Sequence, residues 1–219
     1  MRIVLINGSP KVNQSTSGIL LEDLKKQIAN KNRERTEIRE IGLHDPAVPG
    51  DALERDALKE IKNAEVLVIS CPLYVDGIPA HLLSCLLQLE NADWQNRQIT
   101  VYGIVNCGFY EGIQAEYALE VLQNWCIKAD LVWGGGIGVG GGGALGQMPS
   151  VKNGHGPKAP VENALGAMAD TIFQRKVQEN KYVSVAFPRF LYQMAAQMGW
   201  RQMIKANGGK KKDLDNQPE

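Results

Sequence analysis

Asn7-Gly8-Ser9-Pro10-Lys11, followed by Ser15-Thr16-Ser17, places hydroxyls and a lysine between the apolar run Ile3-Val4-Leu5-Ile6 and a helix-like segment. The first turn of a helix carries N–H groups with no intrahelical acceptor, at the positive end of the dipole. With hydroxyl donors added, such a junction is an anion pocket suited to a terminal phosphate. G-x-x-x-x-G-K-[ST] is absent, which excludes a P-loop, and Gly8 stands alone, which excludes a dinucleotide fingerprint. Ser and Thr are also good helix caps, so these residues alone leave an ordinary N-cap cluster equally open.

Two further clusters have chemical content. In Cys71-Pro72-Leu73-Tyr74-Val75-Asp76-Gly77-Ile78-Pro79, two prolines and a glycine fix the backbone around an aromatic. A rigid turn of this kind presents backbone N–H groups to a flat ring while Tyr74 covers one face; the alternative is a plain strand-to-helix turn with Tyr74 packed inward. In Asn106-Cys107-Gly108-Phe109-Tyr110-Glu111-Gly112, two glycines permit close backbone approach and two aromatics offer stacking area.

The elements that position these clusters alternate. Apolar runs predict strands over residues 2–6, 36–41, 65–70, 98–105 and 130–139. Helical spacing predicts helices over 16–30 (Ile19, Leu20, Leu24 and Ile28 on one face), 52–63, 79–90, 112–128 and 159–178. Five strands alternating with five helices imply an α/β fold, a doubly wound parallel sheet with helices on both faces. Ligands of such sheets bind beyond the carboxyl ends of the strands, where strand order reverses. The three clusters follow the first, third and fourth strands, so they are expected on one rim.

Composition narrows the classes. Lysine plus arginine equals aspartate plus glutamate at 24 each, so charge points to no nucleic acid. Cys71, Cys85, Cys107 and Cys126 show no C-x-x-C spacing and are expected as reduced, mostly core thiols of a cytoplasmic protein. No metal site, signal peptide or transmembrane segment is expected. His44, His81 and His155 have no partner pattern, and G-x-S-x-G is absent, which disfavours a Ser-His-Asp hydrolase.

Taken together, Ile3 to Lys11 with Ser15-Thr16-Ser17, Pro72 to Pro79, and Asn106 to Gly112 resemble the flavodoxin-like NAD(P)H-dependent FMN reductase family, closest to its bacterial branch of small NAD(P)H:acceptor oxidoreductases. The resemblance covers about residues 1–138. It implies a flavodoxin-like fold, which with the pattern of elements gives a five-stranded domain over residues 1–180; the apolar piece at 182–187 and the helix after it predict a C-terminal strand and helix appendage at 181–207, and the basic, then polar composition a disordered tail at 208–219. The resemblance implies FMN as cofactor and NADH or NADPH as co-substrate. Ser9, Lys11, Ser15, Thr16 and Ser17 would bind the phosphate. Pro72, Leu73, Tyr74, Val75, Asp76 and Gly77 would contact ring and ribityl chain, and Asn106, Cys107, Gly108 and Tyr110 would flank the ring. No protein side chain is expected to be catalytic, because a flavin carries the chemistry itself. Dimers are common in that family, so a homodimer is expected.

Two segments depart from the pattern. Residues 134–143 hold a glycine tract with a formal G-x-G-x-x-G match, but no helix opens directly after it. A mobile loop over the flavin edge is expected there, against a flexible linker. The last helix, 189–206, carries Phe190, Leu191, Met194, Met198 and Ile204 with Arg189, Arg201 and Lys205 near them. Packing on the domain or a second subunit is favoured over contact with anionic lipid.

Charge near the ring separates the flavin functions. Electron carriers surround the ring with carboxylates, whereas these loops hold Lys11, Asp76 and Glu111 in near balance. The expectation is a ping-pong oxidoreductase passing electrons from NAD(P)H to a quinone, nitro or azo compound, flavin or metal ion. A non-catalytic FMN-binding carrier or redox sensor is the alternative.

Overall fold

The computed structural model describes residues 1–11, 13–31, 36–43, 55–92, 94, 98–145, 156–210 and 212–213. His44 and His155, most of the turn-rich stretch after Gly42 and most of the 208–219 tail lie outside these. At the start of the tail, Lys210 and Asp213 exchange backbone and carboxylate hydrogen bonds of 2.9 and 2.6 Å.

Continuous apolar runs become strands buried on both faces, as parallel sheets require. These are β1 (Arg2–Asn7), β3 (Val66–Pro72), β4 (Thr100–Asn106) and β5 (Val132–Val139). β2 (Glu37–Gly42) lies at an edge, and its alternation of Glu37, Arg39 and Glu40 with Ile38 and Ile41 fits one buried side only. The sheet has six strands rather than five, in the order β2-β1-β3-β4-β5-β6, every described pairing being parallel. The added strand, β6 (Lys181–Val183), pairs with Ile137–Val139. Strand order reverses between β1 and β3, which places the switch point where the first two loops leave the sheet.

Helices cover both faces. α1 (Thr16–Lys31) packs with a helix over Ala159–Gln174 on one side. α2 (Arg55–Lys62), α3 (Ala80–Glu90) and α4 (Glu116–Lys128) take the other, where Val4, Ile6, Leu67, Ile69, Leu82, Leu86, Leu119 and Leu122 form the core. A 3₁₀ turn at Gly112–Ala115 leads into α4, and a single helical turn at Gly142–Leu145, α5, precedes Ala159–Gln174, α6. α6 stops at Gln174 rather than 178, because Arg175 adopts a left-handed conformation (φ 49°) that caps the helix.

The glycine tract is a correction. Residues 134–142 are buried, and most of them lie in β5 rather than in a mobile loop. The absence of side chains serves close packing. A Cβ on Gly134 would sit 2.5 Å from the Tyr102 ring, one on Gly136 2.5 Å from Leu119, and one on Gly138 2.6 Å from the Gly112 carbonyl. A bulge opposite Val101 and Tyr102 further bends the strand there.

The chain divides into two compact units, Met1–Val185 and Ala186–Glu219. The second is built on α7 (Arg189–Ala206), which matches the predicted helix and contains no buried residue. No helix among the described residues is long and apolar enough to cross a membrane.

Candidate functional site

The three loops meet at the C-terminal rim of the sheet, and one side chain ties them together. Asn106, buried at the end of β4, donates through Nδ2 to Ser17 Oγ on α1 (2.8 Å) and to the Cys71 carbonyl on β3 (3.0 Å). Separately, the Asn106 main-chain carbonyl accepts from Leu73 N–H at 2.8 Å. Truncating the buried side-chain amide would leave Ser17 Oγ and the Cys71 carbonyl without these donors, at a cost of roughly 1–3 kcal/mol. Asn106 is therefore first a clamp that fixes where the loops stand.

Asn7 does the same for the first loop, and the sequence reading omitted it. Its Oδ1 accepts from Ser9 N–H (3.1 Å) and its Nδ2 donates to Ser15 Oγ (3.2 Å). Ser15 caps α1 by accepting from Gly18 N–H at 3.1 Å. A serine hydroxyl has one proton and two acceptor sites. Both acceptor sites of Ser15 are used, and its proton has no acceptor among the described residues. Ser9 accepts from Lys11 N–H (3.3 Å) and Ser17 from Asn106, so each keeps its proton in the same way. Thr16 differs: its hydroxyl donates to the Gly142 carbonyl at 3.0 Å, which tethers α1 to the turn after β5. The first-turn N–H groups of Thr16 and Ser17 have no acceptor within the helix. Lys11 stands exposed beside them.

The second loop is a tight turn. Tyr74 and Gly77 exchange backbone hydrogen bonds of 2.9 and 3.0 Å across Val75 (φ 49°) and Asp76 (φ 60°). A β-branched residue at positive φ is strained by ~1–3 kcal/mol, and strain of that kind collects at ligand-binding sites. Tyr74 is half exposed rather than packed inward, and Val75 is fully exposed. Pro72 and Leu73 are half-buried beneath them.

In the third loop Cys107 is buried while Gly108 and Phe109 are exposed and Tyr110 half-buried. The glycines after β5 brace this loop. Gly141 N–H donates to Phe109 O (2.6 Å) and Gly142 N–H to Cys107 O (2.8 Å). Gly141 needs its left-handed φ of 75° to make that turn. Tyr110 reaches Val185 O at 3.5 Å, and Gly112 N–H reaches Ser184 Oγ at 3.3 Å. A Cβ on Gly108 would meet nothing within 4 Å, so open space lies beside it.

The thiols take no part as nucleophiles. Burial pushes Cys71, Cys85 and Cys126 up to about 12 and raises Cys107 as well, so all four remain protonated near neutrality. Among the described residues no group of His, Cys, Asp and Glu is placed to hold a metal ion. His81 sits half-buried on α3. A cleft of about 340 Å³ beside the start of α1 is lined by Asn7, Ser15 and Gly18 together with Lys158, a buried lysine whose ammonium lies 3.9 Å from Asp23.

Comparison with known proteins agrees with this architecture. Residues 1–84 match the family model for the flavodoxin-like fold. Among solved structures, an NADH:FMN oxidoreductase in its apo form aligns with a TM-score of 0.59 at 19% identity, over 81% of this chain and 91% of that one. An FMN-dependent NADH-azoreductase from Bacillus anthracis, in complex with FMN, gives 0.50 at 17% identity over 78% and 98%. Rubredoxin oxygen:oxidoreductase from Desulfovibrio gigas gives 0.53 at 16% identity over 80% of this chain, which spans only 35% of that protein. No curated protein sequence matches the chain. The fold is flavodoxin-like, an α/β sandwich around a parallel sheet, and identities this low carry the likeness of fold alone.

Proposed function

We propose that the chain binds FMN at this rim and acts as an FMN-dependent oxidoreductase, taking electrons from NADH or NADPH and delivering them to a small acceptor by a ping-pong mechanism. The observation that carries the proposal is the joining of three loops through Asn106 at the switch point of the sheet. Solved structures sharing the fold include proteins described as NADH:FMN oxidoreductase and FMN-dependent NADH-azoreductase, which supports the same cofactor here.

The residues present fit FMN. The hydroxyl protons of Ser9, Ser15 and Ser17, the N–H groups of Thr16 and Ser17 and the Lys11 ammonium form a donor set for a dianionic phosphate. The space beside Gly108, with the exposed Tyr74 and Phe109 near the same rim, suits a flat ring. Pro72, Leu73, Val75, Asp76 and Gly77 would line the ring and ribityl chain; Cys107 and Tyr110 would support the ring edge. FMN, when bound, supplies two-electron transfer from a reduced nicotinamide to an oxidised acceptor. The protein's share is positioning. Asn106 and Asn7 hold the loops rigid, Val75 and Asp76 keep the turn open to the rim, and the braces from Gly141 and Gly142 fix the third loop. Near-balanced charge from Lys11, Asp76 and Glu111 leaves the ring without a ring of carboxylates, which favours an enzyme over a carrier. Four free, buried cysteines fit a reducing, cytoplasmic setting.

The deciding experiment is a visible spectrum of purified protein with added FMN, followed by anaerobic titration with NADH and NADPH. Bleaching of bound flavin is expected. Colourless protein that releases no heat with FMN would overturn the reading, and bound flavin that neither nucleotide reduces would leave an electron carrier.

A further inference from the structure

Lys158 stands where the ordinary rules of helix stability would not put a lysine. It is the N-cap of α6, at the positive end of the helix dipole, and offers no acceptor to the first-turn N–H groups. It is also buried, at 6% exposure. Its ammonium lies 3.9 Å from Asp23 Oδ2, beyond hydrogen-bond reach, while Asp23 makes its hydrogen bond, at 3.2 Å, with Lys26. A buried ammonium that finds no hydrogen-bond acceptor among the described residues is costly, and departures of this kind from local rules collect at functional sites.

The cleft that this lysine lines, about 340 Å³, runs along one side of α1 from Ser15 to Lys26 and takes in Asn7. Ser15 and Lys158 therefore bring the N-termini of two 16-residue helices, α1 and α6, to one opening. Both helix dipoles add positive potential there, offset in part by Glu162 in the first turn of α6. Two acids line the cleft. Asp23 is held by Lys26, and Glu22 lies 3.8 Å from Lys25. Lys158 is the lining cation without a hydrogen-bonded acid, in the same cleft as the Ser15 hydroxyl that keeps its proton.

We propose that Lys158 sets the preference of this site for a phosphorylated flavin. Its shielded positive charge, acting on an anion held at the start of α1, carries more of the phosphate recognition than Lys11 does. Lys11 is exposed, where water and salt screen it. No contact between ammonium and phosphate is needed, because charges across a partly buried site attract at separations where exposed charges are screened. The inference rests on the FMN reading above. The alternative is a structural tie, in which Lys158 and Asp23 join α6 to α1 and do nothing for the ligand.

Fluorescence titration with FMN and with riboflavin, beside thermal melts of the flavin-free protein, separates the two. Lys158→Met is expected to lose about tenfold or more in FMN affinity and Lys11→Met about threefold or less, with riboflavin bound by both as by the unmodified chain. The flavin-free melting temperature of Lys158→Met should hold or rise, since methionine fills the space of the lysine stem without a buried charge. Asp23→Asn should tighten FMN and leave riboflavin unchanged, because it removes a negative charge from the cleft. A Lys158→Met chain that melts earlier and binds FMN as before would establish the structural tie instead. Equal FMN losses in the two lysine variants, a parallel loss of riboflavin in Lys158→Met, or weaker FMN binding in Asp23→Asn would each overturn the proposal. Intact FMN binding in Lys158→Met sinks this inference alone; an unmodified chain that binds no FMN sinks the cofactor reading and this inference with it.

Discussion

Gly140 and Gly108 stand on facing segments of one rim and serve opposite ends. A Cβ on Gly140 would collide with the Tyr110 carbonyl and lie 2.6 Å from Gly112 N, whereas a Cβ on Gly108 would touch nothing. The first glycine lets two backbones close on each other; the second leaves room for something that is not protein. The whole rim divides along this line. The 134–142 stretch is closed and braced, while the turns around Tyr74 and Gly108 are open, with apolar side chains facing outward. Glycine content therefore says nothing about mobility until the neighbours of each glycine are known.

The core behind both halves has its own probe, alkaline pH. Cys71, Cys85 and Cys126 have thiols pushed up to about 12 by burial, against roughly 8.5 for a solvated thiol. A group whose pKa is raised on folding contributes stability that is complete below its unfolded value and is lost as pH rises toward the folded one. Each thiol should thus remove up to about 1.4 kcal/mol per pH unit above roughly pH 8.5. Chemical denaturation between neutral and mildly alkaline pH should show a steep fall in stability, and replacing Cys71 by alanine should make it shallower. A flat profile would mean that these sites are more open than the geometry implies.

Gly140→Ala attacks the closed half directly. The obstacle is backbone rather than a side-chain end, so the cost belongs near the upper part of the overpacking range, about 3 kcal/mol. The displaced Tyr110 carbonyl should also carry the third loop with it, weakening FMN binding. Thermal melts and flavin titration read both effects. Loss of flavin affinity without loss of stability would move Gly140 from the closed half to the open one.

Ser15→Ala crosses the boundary between the halves. It removes a helix cap and the hydroxyl proton proposed to meet the phosphate, so stability should fall by about 1 kcal/mol. FMN affinity should fall about tenfold, as expected for one charge-assisted hydrogen bond of roughly 1.4 kcal/mol. Riboflavin, which lacks the phosphate, should bind both forms equally. A parallel loss for riboflavin would make Ser15 a cap and nothing more.

The sequence reading located the strands, the loops and α7 because buried parallel strands are continuous apolar runs and helices repeat at their own period. The strand expected at the start of the 181–207 appendage is present as β6, but its place in the sheet is not legible locally, because it joins only through the unpaired edge that β5 offers. The sequence reading took the glycine tract for a lid, because its partners Tyr102, Leu119 and Gly112 are distant in sequence and no local signal names them. In the site, residue types pointed to the loops but not to their division of labour. Ser9 and Ser15 were legible as hydroxyls at a helix start. Asn7 was not, because its role lies in two hydrogen bonds to the same loop. Thr16 was read as an anion ligand, while its proton goes to Gly142, 126 residues away.

The smallest change tests the open half. Gly108→Ala adds a methyl where there is space for one and needs no left-handed backbone, so stability should move by less than about 0.5 kcal/mol. The space exists in the protein alone, and the proposal fills it with a flavin ring. A methyl projecting there would then hold the ring off the backbone. FMN affinity should drop several-fold while the melting temperature stays put, and the drop should be the same for riboflavin, because the ring and not the phosphate is displaced. That pattern is the reverse of the one expected at Ser15. If Gly108→Ala binds FMN as the unmodified chain does, the ring lies elsewhere along the rim, and the turn at Tyr74 to Gly77 becomes its sole covering.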